Sequence, residues 1–353
     1  MSSLALSPIG LLLAAAMSLT NVLTDVARKR ALDKRDLVPA TFWIRVAVTL
    51  VFLAALAWRV VGGSQIQIRD GGALFGIAGL HPAPVPTFLI YLAIDVGLIT
   101  IVMWLYFRAL QISPLSLCIP FLSFTPVFLI PSGFILLGEL PSPLKLLGVV
   151  LIVVGSLVMH RRLFAVGWLA PVKAVIREKG SRYMLLVSFL FSITNPLDKK
   201  LVVMSDVFTE AVAYGLGLCF SFFILGRLQK ADFRAAARHN LAWISLAGVL
   251  DAVSLLFQLA SYSYIAVVIT VSIKRAGIIL SVLAGWMFFR ERGITDKVIA
   301  ASVMFCGVLI LYLPLTALQA AAITLLTLAG MAAALYATRQ AAAEVSPTVS
   351  TSR

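Results

Sequence analysis

Residues 18–23 read SLTNVL, and residues 192–197 read SITNPL. Four of the six letters agree at a spacing of 174 residues. In a chain built largely of Leu, Ala and Val, one such match has little weight alone, so its surroundings decide. Asp95 is followed eleven residues later by Tyr106, and Asp251 eleven residues later by Tyr262. GELPSPLK at 138–145 corresponds to RERGITDK at 290–297. Setting Glu139 on Glu291 brings Lys145 onto Lys297 and Gly155 onto Gly307. The offsets of 174, 156 and 152 residues keep one order along the chain, which is the mark of a duplicated unit.

The unit is a membrane one. The chain is 61% hydrophobic, well above the half-apolar composition of soluble domains. A spanning helix needs about 20 mostly apolar residues. Eleven stretches qualify: 7–24, 40–60, 86–107, 114–137, 143–159, 182–203, 208–227, 241–262, 264–289, 296–313 and 316–337. The expected fold is an all-α polytopic membrane protein, a ten-helix bundle of two five-helix repeats plus an eleventh C-terminal helix. A five-helix unit crosses an odd number of times, so its second copy is inverted. Inverted repeats place a substrate site at their interface near the midplane. The expected divisions are a first repeat at 1–159, a basic interfacial linker at 160–181 and a second repeat at 182–313. An extra helix at 314–337 and a disordered tail at 338–353 follow.

The net charge of +14 fits membrane orientation better than nucleic-acid binding. Nineteen Lys and Arg fall in the odd-numbered connections, among them Arg28, Lys29, Arg30, Lys34 and Arg35 in the first. The even-numbered ones hold five: Arg59, Arg69, Lys145, Lys199 and Lys200. Odd connections are therefore expected in the cytoplasm and the N-terminus outside. The first span lacks a basic n-region and reads as a retained helix, not a signal peptide. Cys118, Cys219 and Cys306 lie inside spans without metal-ligand spacing, and His81, His160 and His239 have no partners at useful spacing. GxxxxGK[ST], HExxH, CxxC and a GxSxG elbow with a candidate His are all missing. No enzyme activity and no cofactor are expected. The expected partners are a small-molecule substrate and membrane lipids, with the chain a monomer or homodimer in a bacterial inner (plasma) membrane.

Two stretches carry a family resemblance: ALQISPLSLCIPFLSFTPVFLIPSGFILLGELPSPLKLLGVVLIVVGSLVM (109–159) and YIAVVITVSIKRAGIILSVLAGWMFFRERGITDKVIAASVMFCGVLILYL (264–313). Each is a helix ending in an acidic turn, then a helix with a late Gly. Both resemble the strongest part of an EamA domain, and the layout over 1–313 resembles the two-EamA-domain members of the drug/metabolite transporter superfamily. The resemblance implies a ten-helix transporter. It also implies the opposite orientation from the charge count, and it leaves the extra helix unaccounted for.

Candidate site residues follow from charge placed deep in spans. Lys274 and Arg275 lie about eleven residues into their helix, some ~16 Å from its start. Charge at that depth is costly and rarely idle. Arg offers a planar fork for carboxylate or phosphate, and Lys a point charge. The pair is similar to one in the triose-phosphate and nucleotide-sugar branch, where it holds phosphate. Asp95 and Asp251 are equally deep and matched by the repeat. They are candidates for proton coupling or for a permanent salt bridge to the Lys-Arg pair. Arg45, five residues into its span, is free to snorkel to the surface. Counting Arg45, Lys274 and Arg275 against Asp95 and Asp251 leaves +1. Pro196 removes a backbone donor and can kink its helix. Asn195 and Lys199 beside it are further candidates, although Asp198, Lys199 and Lys200 also read as a solvated helix end. Glu139 and Glu291 are expected to fix turns. Tyr262 could stack on a substrate.

The leading expectation is a secondary transporter that moves a small polar, anionic or phosphorylated metabolite by alternating access. The alternatives are an exporter of cationic drugs, amphiphiles or amino acids, held by Asp95 and Asp251, and a membrane enzyme or scaffold that acts on a lipid headgroup.

Overall fold

The computed structural model describes residues 7–31, 37–70, 83–112, 119–159, 179–277, 294–313 and 315–344. The described residues contain eleven α-helices, one for each expected span. They are α1 Pro8–Ala31, α2 Leu37–Val61, α3 Pro84–Ile112, α4 Thr125–Leu137, α5 Pro143–Met159, α6 Lys179–Met204, α7 Val207–Leu228, α8 Phe233–Tyr262, α9 Val267–Ala276, α10 Ile294–Tyr312 and α11 Ala317–Glu344. A 3₁₀ turn, Ile119–Phe124, leads into α4. No strand occurs among the described residues.

Local chemistry sets the helix ends. Asp206 caps α7 by accepting from the Phe208 and Thr209 amides, and Asp232 caps α8 from Arg234 and Ala235. That cap starts α8 eight residues before its apolar run at 241. Gly138 ends α4 with φ of 68°, a conformation only Gly adopts without strain. α11 runs to Glu344, seven residues past its expected end. The linker at 160–178, Glu291 and the tail beyond 344 lie outside the described residues.

By length and apolar composition, four helices qualify as spans alone: Leu37–Val61, Pro84–Tyr106, Val207–Leu228 and Leu241–Tyr262. Pro8–Thr24, Thr125–Leu137, Pro143–Gly155, Ser302–Leu311 and Ala317–Ala333 are shorter apolar stretches. α6 and α9 qualify as neither, and these two carry Asn195, Asp198, Lys199 and Lys274. Polar residues inside a bundle of apolar helices mark where its function lies.

The larger helix contacts follow a five-helix period. α2 lies on α7 and α5 on α10. α1 lies on α8, as α3 lies on α6. α2 also meets α8, as α7 meets α3; α4 meets α6, as α9 meets α1; and α4 meets α9. Exchanging each helix with the one five places on returns this set to itself. The partners run antiparallel. Thr49 of α2 meets Cys219 of α7, while Arg59, further along α2, meets Asp206 before α7. In α5 and α10 the crossing is made by glycine: a Cβ at Gly148 would lie 2.8 Å from the Gly307 carbonyl oxygen. Small residues let membrane helices approach this closely. Lys145, at the start of α5, donates to the carbonyls of Ile310, Leu311 and Leu313 at the end of α10. α11 packs on α5 and α10 through Ala320, Ile323 and Leu328, outside the paired set.

Candidate functional site

The polar interior is built where α3, α6, α7, α8 and α9 meet. α6 supplies its centre. Pro196 leaves the Ser192 carbonyl without its helical donor, yet α6 continues through it as one helix. The orphan carbonyl accepts from Ser132 Oγ of α4 at 2.6 Å, in competition with Phe128 O at 3.0 Å within α4. The carbonyl that Pro196 deprives of a helical donor is thus already bound.

Four side chains then form one directed hydrogen-bond chain. Lys274 Nζ donates to Gln258 Oε1 at 2.8 Å, and Gln258 Nε2 donates to the Tyr262 hydroxyl at 2.9 Å. That hydroxyl donates to Asn195 Oδ1 at 3.0 Å, and Asn195 Nδ2 donates to the Phe191 carbonyl. Lys274, Tyr262 and Asn195, three candidates read from the sequence, are brought together here, and Gln258 joins them. Tyr262 is fully buried and hydrogen-bonded. It serves as a link in this chain.

Beside the chain lies a group of acids. Asp95 of α3 faces Asp198 of α6, with Glu210 of α7 in the same electrostatic field. Asp95 and Glu210 are fully buried; Asp95 is within side-chain hydrogen-bonding reach of Asp198, and neither carboxyl oxygen of Glu210 has a hydrogen-bond donor among the described residues. Lys274 is in electrostatic reach of Asp198. The Tyr214 phenol lies in the field of Asp198, Asp95, Arg45 and Glu210. Among the described residues no set of three His, Cys, Asp or Glu is arranged to hold a metal ion.

Asp251 is elsewhere. It pairs with Arg45 of α2 at 3.1 Å, both buried, so Arg45 does not snorkel. Asp198 and Lys199 are buried as well, and the reading of that segment as a solvated helix end is corrected. Lys199 Nζ meets Glu139 Oε1 at 2.5 Å and donates to the Ile265 carbonyl at 2.9 Å. Glu139 Oε2 accepts from the Val267 amide at 3.2 Å. Arg275 lies in α9, but its side chain is outside the described residues. The interior balance changes with these placements. Among the described residues Arg45, Lys145, Lys199 and Lys274 stand against Asp95, Glu139, Asp198, Glu210 and Asp251, a balance of −1; Arg275, which entered the sequence count of +1, has its side chain outside them.

Sequence reasoning missed Glu210 and Gln258. Gln258 does share a helical face with Asp251 and Tyr262, seven and four residues away. Glu210 sits in the first turn of α7, where an acid is unremarkable, and nothing in the sequence marks it as buried.

Residues 8–161 match the EamA-like transporter family. Among solved structures, a protein described only as "Crystal structure of protein" superposes with a TM-score of 0.62 at 15% identity. The match covers 86% of this chain and 96% of that one, and it shows a shared fold. No curated protein matches the chain.

Proposed function

We propose that this chain, which belongs to the drug/metabolite transporter superfamily through its EamA-like residues 8–161, exchanges a small organic cation for protons by alternating access. It is a membrane transporter and an integral multi-pass protein; the cargo, the coupling and the mechanism are our reading.

The observation that carries the reading is the acid group. Asp95, Asp198 and Glu210 share one buried electrostatic field in which Lys274 reaches Asp198, and the Glu210 carboxyl has no donor among the described residues. A buried carboxylate with no partner is costly, so it takes a proton or a counter-cation. A site neutralised by protons in one state and by a cation in the other performs exchange. The neighbouring Tyr214 and Tyr262, both buried, suit an organic cation through its apolar body and charge.

Alternating access is supported by the larger helix contacts, which map onto one another when helices five apart are exchanged. We take the halves to be inverted repeats that rock about the site. Lys145 and Lys199, two of the five cations on the even-connection side, are buried at helix partners. Their removal from that count strengthens the assignment of that side to the exterior. We place the protein in a bacterial plasma membrane, where a proton gradient drives such exchange.

A second reading has its own observation. Lys274 sits deep in α9 next to Arg275 in sequence, and with the acids protonated the interior turns positive. An anion would then travel together with protons.

The test is flux into proteoliposomes under an imposed pH gradient, with tetraethylammonium as the cation and glycerol 3-phosphate as the anion. We expect cation flux that Asp198→Asn and Asp95→Asn abolish and Lys274→Ala leaves in place. Anion flux that needs Lys274 and runs with the proton gradient would replace this reading by the second.

A further inference from the structure

From the contacts at one end of the bundle, we propose that the C-terminal segment of α6, Pro196–Met204, is a gate arm. Its catch is the Lys199–Glu139 ion pair. The even-numbered helices end at this side. Glu139 belongs to the turn between α4 and α5, Lys199 to α6, Ile265 to the connection after α8 and Val267 to the start of α9. One ion pair and two hydrogen bonds therefore fasten three separate pieces of chain. The pair is shielded, with side chains 7% and 9% exposed. α1 seals the same connection: a Cβ on Gly10 would lie 2.7 Å from the side chains of both Tyr264 and Ile265.

The pair joins the two five-helix halves, since Glu139 lies in the first and Lys199 in the second. A contact that crosses between the halves at one end has to open when they rock apart there. The hinge is supplied by chemistry already described. At Pro196 the helical ladder lacks a bond, and the carbonyl it frees is held only by a side chain from α4. Asn195 ends the hydrogen-bond chain from Lys274, Asp198 belongs to the acid group, and Lys199 is the catch. All three sit within five residues of α6, at or just past this weak point. A change of charge at Asp198 and the release of Lys199 thus act on one short rigid segment. The two are neighbouring residues, so occupancy of the site is transmitted to the gate without a long pathway. The structure is the state with this end latched.

The inference goes beyond the cargo reading and holds for a cation or an anion alike, because its test uses no cargo. The test uses the full-length protein with Cys118→Ala, Cys219→Ala and Cys306→Ala, reconstituted in sealed vesicles of known orientation. Ser261→Cys reports near the latched end, and Thr24→Cys reports toward the other end. Both positions are buried. Each is labelled by a membrane-impermeant maleimide added from its own side. In Glu139→Gln, labelling of Ser261→Cys should rise at least about tenfold while labelling of Thr24→Cys falls, because one equilibrium governs both ends. Faster labelling at both ends, or an unchanged rate at Ser261→Cys, would overturn the gate and leave the pair a structural brace. Glu139→Asp decides the matter if the amide variant does not fold. It keeps the charge but is too short to hold Lys199 and the Val267 amide together. The same opposite shifts, smaller in size, are expected from it, and a parallel shift at both ends rejects the proposal.

Discussion

α1 and α6 occupy matching places. α1 packs on α8 as α6 packs on α3, and their matched stretches, Ser18–Leu23 and Ser192–Leu197, align at the same offset. Yet they carry different loads. In α1 the polar groups serve packing: Ser18 Oγ donates to the Ile273 carbonyl, and Thr24 Oγ1 to Thr20 within the helix. In α6 the register position of Val22 is Pro196, that of Thr24 is Asp198 and that of Asp25 is Lys199. The hydrogen-bond chain, the acid group and the latch all depend on this side of the pair. Two helices in matching places serve as a strut and as a working part.

Substituting the proline into the strut tests this contrast most severely. Pro196 is tolerated because Ser132 supplies a donor to the carbonyl it orphans. At the offset of 152 residues the counterpart of Ser132 is Ala284, which has no donor to give. Val22→Pro should therefore leave the Ser18 carbonyl unsatisfied in a buried helix and cost roughly 3 kcal/mol or more. Thermal unfolding in detergent, followed by the helical circular dichroism signal, measures it. A variant as stable as the parent would mean that proline and hydroxyl are not a matched pair. Ser132→Ala examines the same match from α6. It strands the Ser192 carbonyl beside Pro196 at a cost of about 1–3 kcal/mol. If Ser132→Ala is neutral, the hydroxyl's real partner is Phe128 O in its own helix.

Much of this architecture is legible from the sequence, and for definite reasons. Apolar runs about as long as a bilayer is thick give the helices, and the repeated Asp, Tyr, Glu and Lys positions point to a five-helix period without saying which helices touch. Helix ends are less legible. Asp232 begins α8 in polar sequence, well ahead of the apolar run, because a cap needs only one carboxylate and two amides. The site is half legible. Lys274 and Asp95 stand out by depth, but the depth of Asp198, Lys199 and Glu210 depends on how far neighbouring turns and connections fold over the helix ends. That property belongs to the packing. The spacing of Asn195, Asp198 and Lys199 at three and four residues does place them on one face of α6, and this is the signal that could have joined them. The pairing of Arg45 with Asp251 was the hardest to foresee, since no match in the sequence ties α2 to α8, although the two helices pack directly.

The smallest expected effect concerns the other ion pair at the latched end, Arg59 with Asp206 at 2.6 Å. It is more exposed than Lys199–Glu139, so its worth comes mainly from the cap that Asp206 gives α7. Partial burial works to raise the Asp206 pKa. Hydrogen bonds from Thr209 Oγ1 at 2.7 Å and the Phe208 amide at 2.9 Å, with the Arg59 guanidinium, outweigh it and hold the carboxyl below its ordinary value. A depressed folded-state pKa adds stability above the ordinary Asp range, and this stability is lost as the pH falls through the folded value. Asp206→Ala should cost about 1 kcal/mol at pH 7, the usual size of a lost cap. The gap between parent and variant should stay constant from pH 7 down to about pH 4, near the unfolded Asp pKa, and close only below it. Unfolding in detergent at stepped pH reads this directly. A gap that closes at pH 5 or above would show that the carboxylate is not held by these donors. Asp206→Asn keeps the cap and loses only the charge, so it should recover most of the difference. If instead it behaves like the alanine variant, then Arg59 bridges the halves with more force than its exposure implies, and this end carries two latches of comparable strength.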